Sequence, residues 1–103
     1  MVAKELIAFV LVGAWPPEGE VVTLDVAPRH RRRGLGRELL RWADQRLRDC
    51  CVTAATLHVQ CDNVPAIRLY ESEGYGFVRT LLSYYPGGED AAEMGKRLDP
   101  DGR

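Results

Sequence analysis

The stretch APRHRRRGLGRELL, residues 27–40, sets five arginines (Arg29, Arg31, Arg32, Arg33 and Arg37) around two glycines, then turns into an apolar-periodic run. At the start of a helix the first N–H groups have no intrahelical acceptor, and the helix dipole adds partial positive charge. Gly34 and Gly36 carry no Cβ to keep a ligand off that backbone. Arginines around the rim add charge and paired donors. Such a junction can hold a pyrophosphate. A nucleic-acid clamp and an ordinary solvated helix start are the two other uses of the same residues. The pattern is not a P-loop, since it lacks the Gly-Lys-Ser/Thr end, and it is not a dinucleotide fingerprint.

Composition weighs among these uses. The net charge is −1, so the arginine cluster is a local feature, whereas a dedicated nucleic-acid binder spreads positive charge over a face. No nucleic-acid partner is expected. With 46% hydrophobic and 28% charged residues, the 103-residue chain has the balance of one soluble globular domain, placed at 1–98 with a frayed tail at 99–103. The apolar run ELIAFVLVGAW is too short to span a bilayer, and no signal peptide precedes it. A cytoplasmic protein with no membrane partner is expected. Cys50, Cys51 and Cys61 show neither CxxC nor Cys/His metal spacing, so free thiols and no metal are expected.

The elements that must position the turn follow from periodicity. LIAFVLVGAW (6–15) is β-rich, PPEGE (16–20) reads as a turn, and VVTLDVAP (21–28) alternates. That alternation puts Val22, Leu24 and Val26 on one face and Val21, Thr23 and Asp25 on the other. From Gly34 the period becomes helical, with Leu35, Leu39, Trp42, Ala43, Leu47 and Cys50 recurring to about residue 50. TLHVQC (56–61) is the next strand. DNVPAIRLYESEG (62–74) carries a helix start, with Asn63 as cap and Pro65 in the first turn, and Gly74 as its stop. FVRTLLSYY (77–85) and AAEMGKRL (91–98) form a last pair of strands around PGGED. The order is β-β-α-β-α-β-β, a mixed α/β sheet domain.

VAPRHRRRGLG after a strand, followed by Asn63, Ala66, Tyr70 and Gly74 after the next strand, resembles the GCN5-related N-acetyltransferase (GNAT) superfamily. Within it the chain is most similar to the N-terminal protein acetyltransferases, including the ribosomal-protein-alanine branch. RRRGLGRELL, LHVQCDN, AIRLYESEGY and YYPGGEDAAEM carry the likeness, over residues 5–98.

The resemblance implies a splayed mixed sheet flanked by helices, with the pantetheine arm of acetyl-CoA in the gap between strands 21–28 and 56–61. Leu24, Asp25 and Val26 would pair with that arm, and the N–H near Val26 would polarise the thioester carbonyl. Arg32, Arg33, Gly34, Leu35, Gly36 and Arg37 would cradle the pyrophosphate, with Arg31 at the family's Arg/Gln position. Asn63 would reach the cofactor or serve only as helix cap. Tyr70 matches the tyrosine that protonates the departing thiolate, a task suited to a phenol that keeps its proton at neutral pH; its other reading is a core tyrosine. His58 stands where bacterial members carry glutamate and a eukaryotic relative carries histidine. It can take the amine's proton directly or through water, and Glu20 is the second candidate for that role. A structural role for His58 stays open. A Cys61–His58 acyl-transfer pair is disfavoured, because an odd offset sets the two on opposite strand faces. Tyr84 and Tyr85 match a pair that helps hold the acceptor peptide, and core packing is the alternative for either.

Relative to the family pattern the chain reads as N-terminally shortened, and a first strand and two helices are expected to be missing. An open first sheet edge and a bare apolar face are expected to favour a symmetric homodimer. The implied function is acetyl transfer from acetyl-CoA to an amine in a ternary complex. The acceptor is a protein N-terminal α-amine first, with a small-molecule amine, or a non-catalytic acetyl-CoA-binding subunit or remnant, as alternatives.

Overall fold

The computed structural model describes residues 8–27, Arg31 and residues 34–98. Its elements follow the expected order: β1 (Ala8–Trp15), β2 (Glu18–Val26), α1 (Leu35–Asp49), β3 (Ala54–Gln60), α2 (Val64–Ser72), β4 (Gly76–Leu81) and β5 (Ala91–Arg97). They build one five-stranded sheet in the order β1-β2-β3-β5-β4. Only β2 and β3 run parallel; the other three pairs are antiparallel.

β2 begins earlier than expected. The turn is the two residues Pro16 and Pro17, and Glu18 already pairs with Trp15. The simple alternation of β2 also fails at one point. Val12 pairs with Val21 but Leu11 pairs with Thr23, so Val22 is an extra residue, a β-bulge. The bulge buries Val21 and leaves Val22 exposed, although Val22 was expected to share a face with Leu24 and Val26. At the other end of the chain, β4 stops at Leu81, short of the tyrosines it was expected to carry. Ser83 takes a positive φ of 50° and donates its N–H to Asp90 Oδ1 at 2.8 Å, which turns the chain out of the sheet. Tyr84 and Tyr85 therefore lie in the β4–β5 loop.

The sheet has two unlike faces. Ala55, Leu57 and Val59 of β3 and Ala92 and Met94 of β5 are buried in one cluster with Leu40, Ala43 and Leu47 of α1 and Tyr70 of α2. Thr56, His58 and Gln60 alternate away from it. The buried stripe of α1 differs from the expected one. Leu40 and Asp44 point inward, while Trp42 is 53% exposed and Cys50 is at the surface. Asp44 is tolerated inside because it is fully partnered: Tyr75 donates its hydroxyl at 2.8 Å and Lys96 Nζ stands at 2.6 Å. Burial, then the Asp44 charge, push the Tyr75 phenol above its ordinary value, so it remains a donor.

This buried trio ties α1 to the segment after α2 and to β5. Asp44→Ala would strand the Lys96 ammonium and the Tyr75 hydroxyl, and urea unfolding should show a loss of about 3 kcal/mol. A loss below about 1 kcal/mol would mean that the trio is not a fastening point.

Candidate active site

Parallel pairing between β2 and β3 is short. It runs from Glu18–Ala54 to Val21–Leu57 and then ends. Beyond that point β2 continues to Val26 against β1 alone, while β3 continues to Gln60 against β5 alone. The β3-facing edge of residues 22–26 thus has no ladder partner among the described residues. A cleft of about 260 Å³ opens there. Its walls include Val21–Leu24 of β2 and Leu57–Gln60 of β3, together with Asn63, Tyr70 and Tyr85. Residues from both faces of β3 line it.

On the helix side stand Tyr70 and Asn63. Tyr70 is 9% exposed and meets Tyr75 edge-to-face at 6.3 Å. Burial, then the neighbouring Tyr85, raise its phenol above the ordinary value, so it holds its proton through neutral pH. Asn63 Oδ1 accepts from Ala66 N–H at 3.3 Å as the cap of α2, and it also lines the cleft.

The open side brings together residues that are distant in the chain. Glu20 pairs with Thr56, two residues before His58, so Glu20 and His58 share a face. Glu20 Oε1 lies 3.3 Å from His58 Nδ1. Tyr84 stacks on the imidazole with centroids 5.0 Å apart, and Tyr85 meets Tyr84 edge-on at 5.0 Å. Glu93 of β5, opposite His58 in the ladder, places Oε1 3.0 Å from Nε2. Glu93 was not singled out in the sequence. Its alternation with Ala92 and Met94 marks it as facing away from the core, but only the pairing of β3 with β5 brings it to His58.

The glycine–arginine turn falls partly within the described residues. Arg32 and Arg33 lie outside the described residues, as does Arg29. Gly34 has φ 80° and caps α1 without a side-chain hydrogen bond, and the first helical bond runs from Glu38 N–H to Gly34. The N–H groups of Leu35, Gly36 and Arg37 precede that bond at an uncapped helix start, which suits an anionic ligand. The Leu35 side chain instead borders an apolar depression between β1 and α1. Gly36 serves packing: an added Cβ would stand 3.2 Å from Leu69 Cδ2, so its missing side chain admits α2 and not open approach. Arg37 and Arg31 are engaged within the chain. Arg37 bonds Glu73 at 3.0 Å, and Arg31 Nε donates to the Val26 carbonyl at 2.9 Å. Asp25 and Val26 do not line the cleft. They sit at the far end of β2, opposite Phe9 and Ala8, and only Leu24 of the expected trio reaches it.

Residues 2–77 match the Acetyltransferase (GNAT) family. The chain belongs to this family. The N-terminal acetyltransferase B complex catalytic subunit NAA20 of Arabidopsis thaliana is 36% identical over 85 residues, covering 81% of the chain and 48% of the plant protein. A mycothiol acetyltransferase of Nocardiopsis dassonvillei is 40% identical over 75 residues, covering 73% of the chain and 23% of its own length. The GNAT chain thus spans about half or less of these curated relatives. Among solved structures, the ribosomal-protein-S18-alanine N-acetyltransferase from Escherichia coli superposes with a TM-score of 0.82 at 33% identity, over 90% of this chain and 62% of that one.

Glu73 fixes the two helices that frame the helix side of this GNAT cleft. Its carboxylate takes Arg41 Nε at 2.7 Å as well as Arg37. The Arg41 hydrogen bond, aided by the charges of Arg41, Arg37 and Lys96, holds the Glu73 carboxyl below its usual range. Between that lowered value and the ordinary one near 4.3, the unfolded chain binds the extra proton, so stability falls as pH drops through this window. Unfolding titrations of wild type and Glu73→Gln should converge as pH falls below about 4. Parallel curves would show that the bridge adds nothing at neutral pH.

Proposed function

We propose that this GNAT protein transfers acetyl from acetyl-CoA to an amine, most directly a protein N-terminal α-amine, by attack within a ternary complex. The observation that carries the reading is the cleft where β2 and β3 part, with the proton-holding Tyr70 phenol and the His58–carboxylate group beside it. Acetyl-CoA supplies the activated acyl group. The unpaired edge of β2 at Val22–Leu24 offers backbone groups to the extended arm, and an N–H there polarises the thioester carbonyl. The N–H groups of residues 35–37 hold the pyrophosphate, with Arg31, Arg32, Arg33 and Arg37 as its charged rim. Asn63 faces the arm from the cap of α2.

At the open mouth, His58 or Glu20 takes a proton from the amine as the N–C bond forms. As the C–S bond breaks, Tyr70 O–H protonates the thiolate, and solvent restores the phenol. In water a phenol near 10 is a weaker acid than a thiol near 8.5. Desolvation raises both partners, the departing thiolate as well as the Tyr70 phenol, so the transfer is completed as solvent reprotonates the phenol. Tyr84 and Tyr85 border the open mouth and would hold the acceptor.

Relatives named for N-terminal α-amines support a peptide acceptor, and the relative named for mycothiol supports a small-molecule one. CoA release with an N-terminal peptide, with a polyamine, or with neither separates the peptide acceptor, the small amine and a non-catalytic acetyl-CoA binder. With an active acceptor, Tyr70→Phe should lower turnover by about 10²–10⁴-fold with cofactor affinity unchanged. Wild-type turnover in that variant, with chemistry limiting, would make Tyr70 a packing residue.

A second copy of the chain suits the other face. The outer edge of β1 has no strand beside it among the described residues, and Phe9, Leu11 and Trp42 are 38%, 55% and 53% exposed. An open edge beside apolar side chains favours association. Sedimentation at micromolar concentration should show a homodimer, and a stable monomer that binds acetyl-CoA would contradict it.

A further inference from the structure

The imidazole of His58 is held on three sides, more firmly than a residue lining an open mouth requires. Tyr84 covers one ring face. Glu20 of β2 meets Nδ1 at 3.3 Å, and Glu93 of β5 meets Nε2 at 3.0 Å. Behind Glu93 stands Arg79 of β4, with Nε 3.1 Å from Oε2 and a second nitrogen 3.4 Å from Oε1. These are the charged and titratable groups that face the ring, with Tyr85 beyond Tyr84. Side-chain exposure is only 17% for His58 and 14% for Glu93.

We infer that Glu93 is the positioning residue of His58: it accepts the Nε2 hydrogen, fixes that tautomer, and leaves Nδ1 to take the acceptor amine's proton. The inference rests on the acetyl-transfer reading with His58, and not Glu20, as the first proton acceptor. A neutral imidazole carries one N–H, and an ionised carboxylate can only accept. With a neutral ring, the opposite tautomer would set the Nε2 lone pair against Glu93 at 3.0 Å, which is repulsive. Hydrogen on Nε2 turns that contact into a bond and leaves the Nδ1 lone pair toward Glu20, whose 3.3 Å contact is longer and, unlike that of Glu93, does not have hydrogen-bond geometry. Arg79 keeps Glu93 fit for this task. The hydrogen bonds from His58 and Arg79 hold the Glu93 carboxyl below its usual range, so it is ionised at neutral pH.

The same geometry stabilises the product of proton transfer. Once Nδ1 takes the amine proton, the ring is an imidazolium with two N–H donors. Glu93 already holds one, and Glu20 lies within reach of the new one. The chain Arg79–Glu93–His58–Glu20 then alternates in sign along its whole length. Solvent removes the proton after the amide has formed.

Glu93→Gln tests this without changing side-chain volume. Its amide can donate to the ring as well as accept from it, so the fixed tautomer is released. Nitrogen-15 NMR of histidine-labelled protein, with His30→Asn to assign the signals, should show the Nε2–H form for neutral His58 in wild type and a mixture in Glu93→Gln. Turnover should fall by about 10- to 100-fold, with the acetyl-CoA KM unchanged. Glu93→Asp should restore the tautomer and part of the rate. An Nδ1–H form in wild type, an imidazolium persisting across the active pH range, or an unchanged tautomer in Glu93→Gln would overturn the inference. The tautomer is read without any turnover, so an inactive chain with the Nε2–H form would contradict the acetyl-transfer reading and leave the Glu93 bond standing.

Discussion

The parallel pairing of β2 with β3 ends at Val21–Leu57, and the rest of the site depends on that ending. Two neighbouring strands that stop bonding leave a row of N–H and C=O groups facing each other across a gap. Such groups are costly unless water or a ligand meets them. Here the gap is framed by a bulge at Val22 on one strand and by β5 holding the other strand away. Each strand is satisfied on its outer side, so the opening does not undo the sheet. An extended, amide-bearing arm is the ligand shape that such an edge fits.

Once the sheet is open, its two faces can do different work. The helix face is a packed core in which polar groups appear only with partners, such as Asp44 with Tyr75 and Lys96. There Tyr70 is buried enough to keep its proton. The other face carries Glu20, His58, Glu93 and Arg79 with no helix over them among the described residues, so charge can move there beside solvent.

Much of this was legible in the sequence, because the elements obey short-range rules. The shift from alternation to helical spacing after Gly34, the Asn63 cap and the Gly74 stop placed all seven elements in order. Glu20, His58, Tyr70 and Tyr84, singled out through the family resemblance, lie at or beside the cleft. What was missed depends on long-range pairing. The Val22 bulge exists only against β1, and it inverted the expected faces of Val21 and Val22. β4 ended early because of a bond from Ser83 to Asp90, seven residues on. Glu93 acquires its meaning 35 residues from His58, where no local pattern reaches. The contacts that Arg37 and Gly36 make within the chain were missed for a related reason. Both face α2, through Glu73 and Leu69, and the sequence of α1 alone does not show what packs beside it.

We propose that the β2–β3 opening and the start of α1 form one binding site. Amide NMR during titration with CoA tests this most directly, since it reports each backbone N–H. The account predicts that the amides of Val22, Thr23 and Leu24 and those of Leu35, Gly36 and Arg37 shift together and saturate at one concentration. Shifts confined to the apolar depression beside Phe9 and Trp42, or separate saturation of the two groups, would contradict it.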